Sequence, residues 1–194
     1  MASVITFSAP KVDTGEIKRY MRAAGEADGL IADCLTEAEK VLRYSVAFDV
    51  FPVFFSNKSA DNGLIDLCFA KTESKDLCKN LVGCDRIVLF AATVGIGIDR
   101  LIARYGAISP AKALCFEAIG NERVESLCDA FNGDIIKKYG ACAPRFSPGY
   151  GDLDLSLQKS IFSVLPCSAM GLNLNASLLM SPSKSVTAII GIKK

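Results

Sequence analysis

The sequence contains no histidine. That absence removes the Ser/His/Asp triad, the Cys/His dyad, histidine-ligated zinc and a histidine general base. Any catalytic acid or base must therefore be a carboxylate, Lys, Tyr or Cys. Neither charge is in excess, since 22 Lys+Arg against 21 Asp+Glu leave +1 over 194 residues. Gripping a phosphate backbone calls for a strongly basic surface, so nucleic acid is not an expected partner. No uncharged apolar run reaches the roughly 18 residues of a membrane helix, and the opening MASVITFS lacks the basic-then-apolar order of a signal peptide. No membrane association is expected.

Cysteine is plentiful, yet no C-x-x-C occurs among Cys34, Cys68, Cys78, Cys84, Cys115, Cys128, Cys142 and Cys167. The spacing fits no zinc ribbon, thioredoxin-like site or ferredoxin cluster, and no metal site is expected. Most of these residues sit in apolar runs such as Leu67-Cys68-Phe69 and Leu114-Cys115-Phe116, where a free thiol acts as a small hydrophobe. Free thiols without a signal peptide point to a cytoplasmic protein. With 51% hydrophobic and 22% charged residues the chain is globular and not disordered. Its length suits one domain over 1–194.

Hydrophobic spacing outlines the elements. Asp13 opens a helix over 13–25 with Ile17, Tyr20, Met21 and Ala24 on one face, and Asp28 caps a second carrying Leu30, Ile31, Cys34, Leu35, Ala38, Val41 and Leu42. The expectation is an N-terminal helical region of about 1–43 and a core of about 44–194. From Tyr44 the period becomes two. Val46, Phe48 and Val50 lead to Pro52, and after the turn residues Ser59 to Gly63 comes Leu64 to Phe69, a pattern that reads as a hairpin with an edge or bulge at Pro52. A short helix near Ser74 to Leu81 precedes Arg86 to Val94, a continuous apolar run expected to be a central strand. Ile98, Leu101, Ile102 and Tyr105 mark another helix. Ser109-Pro110 starts a long one reaching about Lys138. Residues 140–153 read as irregular, Asp154 to Val164 as a helix, and Leu172 to Leu178 with Val186 to Ile192 as a second hairpin. Helices in runs and strands in hairpins predict an α+β fold, a mainly antiparallel twisted sheet flanked by helices that include one long helix.

Three segments are chemically suggestive. Thr93-Val94-Gly95-Ile96-Gly97 joins a strand to a helix, but G-x-G alone is a weak phosphate signal and a tight turn is the commoner meaning. Glu117, Glu122 and Glu125 lie on the long helix, where a charged face is usually just solvated. Glu117 and Glu125 share one side of it and could meet a cationic ligand. Richest is Arg145-Phe146-Ser147-Pro148-Gly149-Tyr150-Gly151-Asp152, which packs a fork donor, a rigid proline, two glycines and an aromatic hydroxyl into eight residues. That set suits a ligand bearing both a carboxylate and a flat ring; a structural loop with an Arg salt bridge is the competing meaning.

Arg145 to Tyr150 resembles the R-x-x-x-G-Y motif of the activation (reactivation) domain of cobalamin-dependent methionine synthase. The stretch on to Gln158, Leu179 to Val186, Ala91 to Gly95, Asp99-Arg100 and Ala118 to Gly120 are similar to short stand-alone members of that family. The resemblance covers about residues 86–192. It implies an α+β module that binds S-adenosylmethionine for reductive remethylation. One electron reduces cob(II)alamin, and the resulting cob(I)alamin takes the sulfonium methyl, so the chain itself needs no catalytic side chain. By this resemblance Arg145 contacts the methionine carboxylate or nearby backbone, Gly149 permits close approach and Tyr150 meets the ligand. Ser147, Pro148 and Gly151 shape the groove, and Glu125 offsets the sulfonium or amino cation.

Without histidine there is no D-x-H-x-x-G corrinoid ligand. Cobalamin is therefore expected on a partner, a corrinoid-binding subunit of methionine synthase or a related methyltransferase, with a flavodoxin-like electron donor. The sequence departs from the family where Tyr139 replaces an acid six residues before Arg145, where an N-terminal aspartate finds no placed counterpart, and where a ligand-contacting tyrosine has no match up to Lys194. Those departures define the alternative, a docking or capping partner of a corrinoid protein that no longer binds S-adenosylmethionine.

Overall fold

The computed structural model of the chain describes residues 2–22, 27–55 and 64–194. The apolar run forms β6 (Cys84–Thr93), flanked by β2 (Ser45–Pro52) and β9 (Ser185–Lys193) and antiparallel to both. With β1 (Ser3–Thr6) they make a four-stranded sheet in the order β1-β2-β6-β9. Val88, Phe90 and Ala92 point into one core and Ile87, Leu89 and Ala91 into the other, all fully buried. Burial on both faces is why this strand shows no polar alternation.

Helices cover each face. Against one pack α1 (Thr14–Met21), α2 (Asp28–Ala38), α4 (Gly97–Gly106) and the 30-residue α5 (Pro110–Tyr139); against the other lie α3 (Lys75–Asn80) and α6 (Leu157–Val164). The fold is thus α+β with an antiparallel sheet flanked by helices, one of them long. Ser109 caps α5 by accepting from Lys112 N, and Pro110 occupies its first turn. Phe131 of α5 anchors the larger core, with ring centroids 6.3, 5.3 and 4.9 Å from Phe7, Phe48 and Phe90.

Several expectations need correction. The N-terminal third is not purely helical: β1 pairs with the first half of β2, from Ser3 opposite Phe48 to Thr6 opposite Ser45. β2 is therefore an inner strand, and Pro52 is tolerated because it ends the strand beyond the reach of β1. The first hairpin partners are β3 (Phe54–Phe55) and β4 (Leu64–Asp66), which with β5 (Lys71–Glu73) form a separate three-stranded sheet. Its expected turn, Ser59 to Gly63, and Ala24 of the first helix lie outside the described residues. The second hairpin fails too. β7 (Asn173–Leu174) pairs with β8 (Met180–Ser181), whereas β9 joins β6. Long-range pairing with the most apolar strand overrode the local pattern.

Asp28 begins α2 without capping it and pairs instead with Lys18 at 2.7 Å. Six of the eight cysteines are buried, Cys68 is exposed, Cys142 is half-buried, and all are free thiols. Burial pushes the thiols of Cys115 and Cys128 up to about 12 and that of Cys167 to about 11, so none is a thiolate nucleophile at neutral pH.

The charged face of α5 also hides a buried pair. Glu122 and Arg123 are 2% and 1% exposed. The guanidinium grips the neighbouring carboxylate through Nε to Oε2 and Nη2 to Oε1, both at 2.5 Å. It also donates to the carbonyls of Pro10 (2.6 Å) and Lys11 (2.8 Å), while Glu122 accepts from Asp13 N (3.0 Å) and Ser126 Oγ (2.7 Å). The node sews the segment before α1 onto α5. Arg123→Ala strands a buried carboxylate and two carbonyls, and should cost about 3–5 kcal/mol in urea unfolding, with Arg123→Lys recovering only part because it lacks the planar fork. A loss under about 1 kcal/mol would contradict this role.

Candidate functional site

After α5 the chain does not wander. Residues 141–146 run antiparallel beside β9: Ala143 N donates to Gly191 O at 2.8 Å, Lys193 N to Ala141 O at 3.0 Å, and Phe146 and Ile189 exchange both backbone bonds at 2.9 Å. This ladder covers the β9 edge and sets Arg145 against α5. Its Nη1 meets Asp129 Oδ1 at 2.7 Å and its Nη2 meets Glu125 Oε2 at 3.0 Å. Glu125 and Asp129 stand one turn apart, which lets one fork span both. All three side chains are partly open to water, Arg145 at 24%, Glu125 at 49% and Asp129 at 74%.

Ser147 is half-buried and Pro148 buried, so that Phe146 and Pro148 root the loop in the protein. Turn bonds then shape it: Tyr150 N to Ser147 O at 3.1 Å, Leu153 N to Tyr150 O at 3.1 Å and Gly149 N to Leu153 O at 2.8 Å. Gly149 and Gly151 take left-handed φ values of +85° and +56°. A Cβ on Gly151 would lie 2.6 Å from Asp76 Oδ2 and push that side chain aside, and the left-handed backbone at this position favours glycine. Between them Tyr150 projects, 70% exposed, with its ring edge-on to Phe146 at 5.5 Å.

Asp152 closes the loop onto α3. Its carboxylate accepts from Ser74 Oγ, Lys75 N (2.8 Å) and Asp76 N (3.3 Å). The Ser74 hydroxyl above all, with the two backbone N–H groups, holds this carboxyl below its ordinary range against a smaller desolvation effect.

Beside Arg145, a cleft of about 290 Å³ opens between α1 and α5. Asp13, Glu16 and Tyr20 line one wall and Glu122, Glu125 and Asp129 the other; Arg19, paired to Glu16, lies there as well. Carboxylates dominate, so the cleft favours a cation while Arg145 at its edge favours an anion.

The structure thus brings Arg145 and Glu125 together and places Ser147, Pro148, Gly149, Tyr150 and Gly151 on one loop rooted beside them. Glu117 belongs elsewhere, ion-paired with Lys184. The G-x-G segment is a packing device, because a Cβ on Gly97 would stand 2.5 Å from Val41 O. Three participants escaped the sequence reading. Asp129 was legible as an acid four residues after Glu125, whereas nothing local marked Asp13 as a cleft residue or Asp152 as a clasp.

The lowered Asp152 carboxyl fixes a pH window. Its contribution to stability is full above the unfolded-state value near 4 and is lost as pH falls through the lower native value. In acid unfolding followed by circular dichroism, the parent should exceed Asp152→Asn most above about pH 4 and converge with it in stronger acid. A gap that stays constant with pH would contradict the assignment.

No protein-family model matches this sequence, and no curated protein does. Among solved structures, the crystal structure of the MetH reactivation domain bound to AdoHcy matches 99% of this chain and 78% of its own, with a TM-score of 0.70 and 18% sequence identity. The chain has the fold of the MetH reactivation domain.

Proposed function

We propose that residues 1–194 form one S-adenosylmethionine-binding module that serves reductive remethylation of a corrinoid carried by a separate polypeptide. The observation that carries this reading is the juxtaposition of a carboxylate-binding fork, a cation-favouring cleft and an exposed aromatic, on a fold shared with a domain bound to AdoHcy.

S-adenosylmethionine bears a carboxylate, an ammonium, a sulfonium and a flat base, and the residues present fit each. Arg145 would take the carboxylate. Its two bonds to half-open acids are the kind worth about 0–1 kcal/mol, so a ligand can displace them at small cost. The freed Glu125 and Asp129, with Asp13 and Glu16 opposite, would face the ammonium and sulfonium. Tyr150 offers its ring to the base. Gly149 would permit close approach, Gly151 would shape the groove through its left-handed turn, and Ser147 and Pro148 would fix the loop's root.

When bound, S-adenosylmethionine would supply the methyl group that, with one electron from an external donor such as a flavodoxin-like protein, converts cob(II)alamin on the partner to methylcobalamin, AdoHcy being the leaving product. The chain contributes binding and orientation and holds no catalytic residue of its own. Lacking histidine, it offers no imidazole to ligate cobalt, which is why the corrinoid is assigned to a partner such as a corrinoid subunit of methionine synthase.

Calorimetric titration with S-adenosylmethionine and AdoHcy tests this directly. The parent should bind saturably in the micromolar range, and Arg145→Ala should bind at least about tenfold more weakly, the loss of one charge-assisted contact. No heat up to millimolar ligand from a folded sample would overturn methyl donation and leave the docking alternative.

A further inference from the structure

An exposed aspartate ordinarily keeps its water. Asp152 instead gives its two oxygens to three donors lying 76 to 78 residues away in the chain. The anchor is firm. Ser74 is 2% exposed and accepts from Leu77 N at 2.9 Å, and Leu77 and Cys78 behind it are in the core. Upstream, Phe146 ties the loop to β9 by two backbone bonds. The five residues between these ties hold Tyr150, whose ring is 70% exposed, sits between two left-handed glycines and touches Phe146 edge-on.

We propose that Asp152 is a positioning residue for ligand binding: by clasping the start of α3 it fixes the turns at Gly149 and Gly151, and so sets where Tyr150 meets the ligand. Gly151 lies against the Asp76 side chain at a left-handed φ of +56°, a backbone turn that glycine adopts most readily and that the clasp holds in place. The proposal rests on the ligand reading above, but its mechanical half is measurable without ligand.

The chain has no tryptophan, so Tyr150→Trp introduces a lone indole reporter. In that background Asp152→Ala should raise acrylamide quenching and lower fluorescence anisotropy with far-UV circular dichroism unchanged. In the parent background it should weaken AdoHcy binding by roughly tenfold or more, as misplacement of a contact does. Asp152→Asn keeps one acceptor and should fall between, which covers the case in which the alanine variant does not fold. Asp154→Ala removes the neighbouring bond to Ser156 N without touching the clasp and should leave both readouts unchanged. An indole signal indifferent to Asp152 overturns the proposal whatever the ligand does. So does unchanged AdoHcy affinity in a variant whose indole signal has moved. If the parent binds no AdoHcy, the ligand reading falls and the indole signal alone decides the clasp.

Discussion

A guanidinium at 1% exposure is tolerable only with every charge answered, and Arg123 is answered by a carboxylate and two backbone carbonyls. The need is mutual, because Glu122 is equally buried. The partners come from opposite ends of the architecture, the middle of α5 and the segment before α1, so the chain cannot satisfy the pair without bringing those two together. Asp13 then arrives at α5 by its own N–H to Glu122, and its side chain caps α1 through Gly15 N and Glu16 N. The acidic wall of the cleft is thus a consequence of satisfying one buried ion pair.

The opposite wall depends on a second constraint of the same kind. β9 would leave an open edge beside β6, and residues 141–146 close it. That closure delivers Arg145 to Glu125 and Asp129, in a pairing open enough to water to be weak. A buried pair that cannot exchange partners and an exposed pair that can are set within one turn of each other on α5, the first fixing the frame and the second leaving a fork available to a ligand.

Much of this was legible in the residues. β6 announced its double burial by a run without polar alternation, and α5 announced its start by Ser109-Pro110 and its length by its apolar stripe. The loop from Arg145 to Asp152 stood out by residue type, and its resemblance to a known domain is matched by the fold. What stayed hidden was long-range. Ser3 to Thr6 is too short to register as a strand and becomes one only because β2 offers it an edge. The hairpins were misassigned because alternation tells which face a residue occupies but not which strand lies beside it. Glu122 looked solvated because a charge pattern does not show that Pro10 and Lys11 will return to meet its neighbour.

The central claim is that a single site spans the Arg145 loop and the α1–α5 cleft. Amide chemical-shift mapping during titration with AdoHcy tests it most directly. The account predicts saturable shifts confined to residues 145–152, the turn around Asp13 to Tyr20 and the Glu122 to Asp129 stretch of α5. Shifts gathered elsewhere, for example in the surface depression between α2 and α4 around Glu37 and Arg104, or none at saturating ligand, would contradict it.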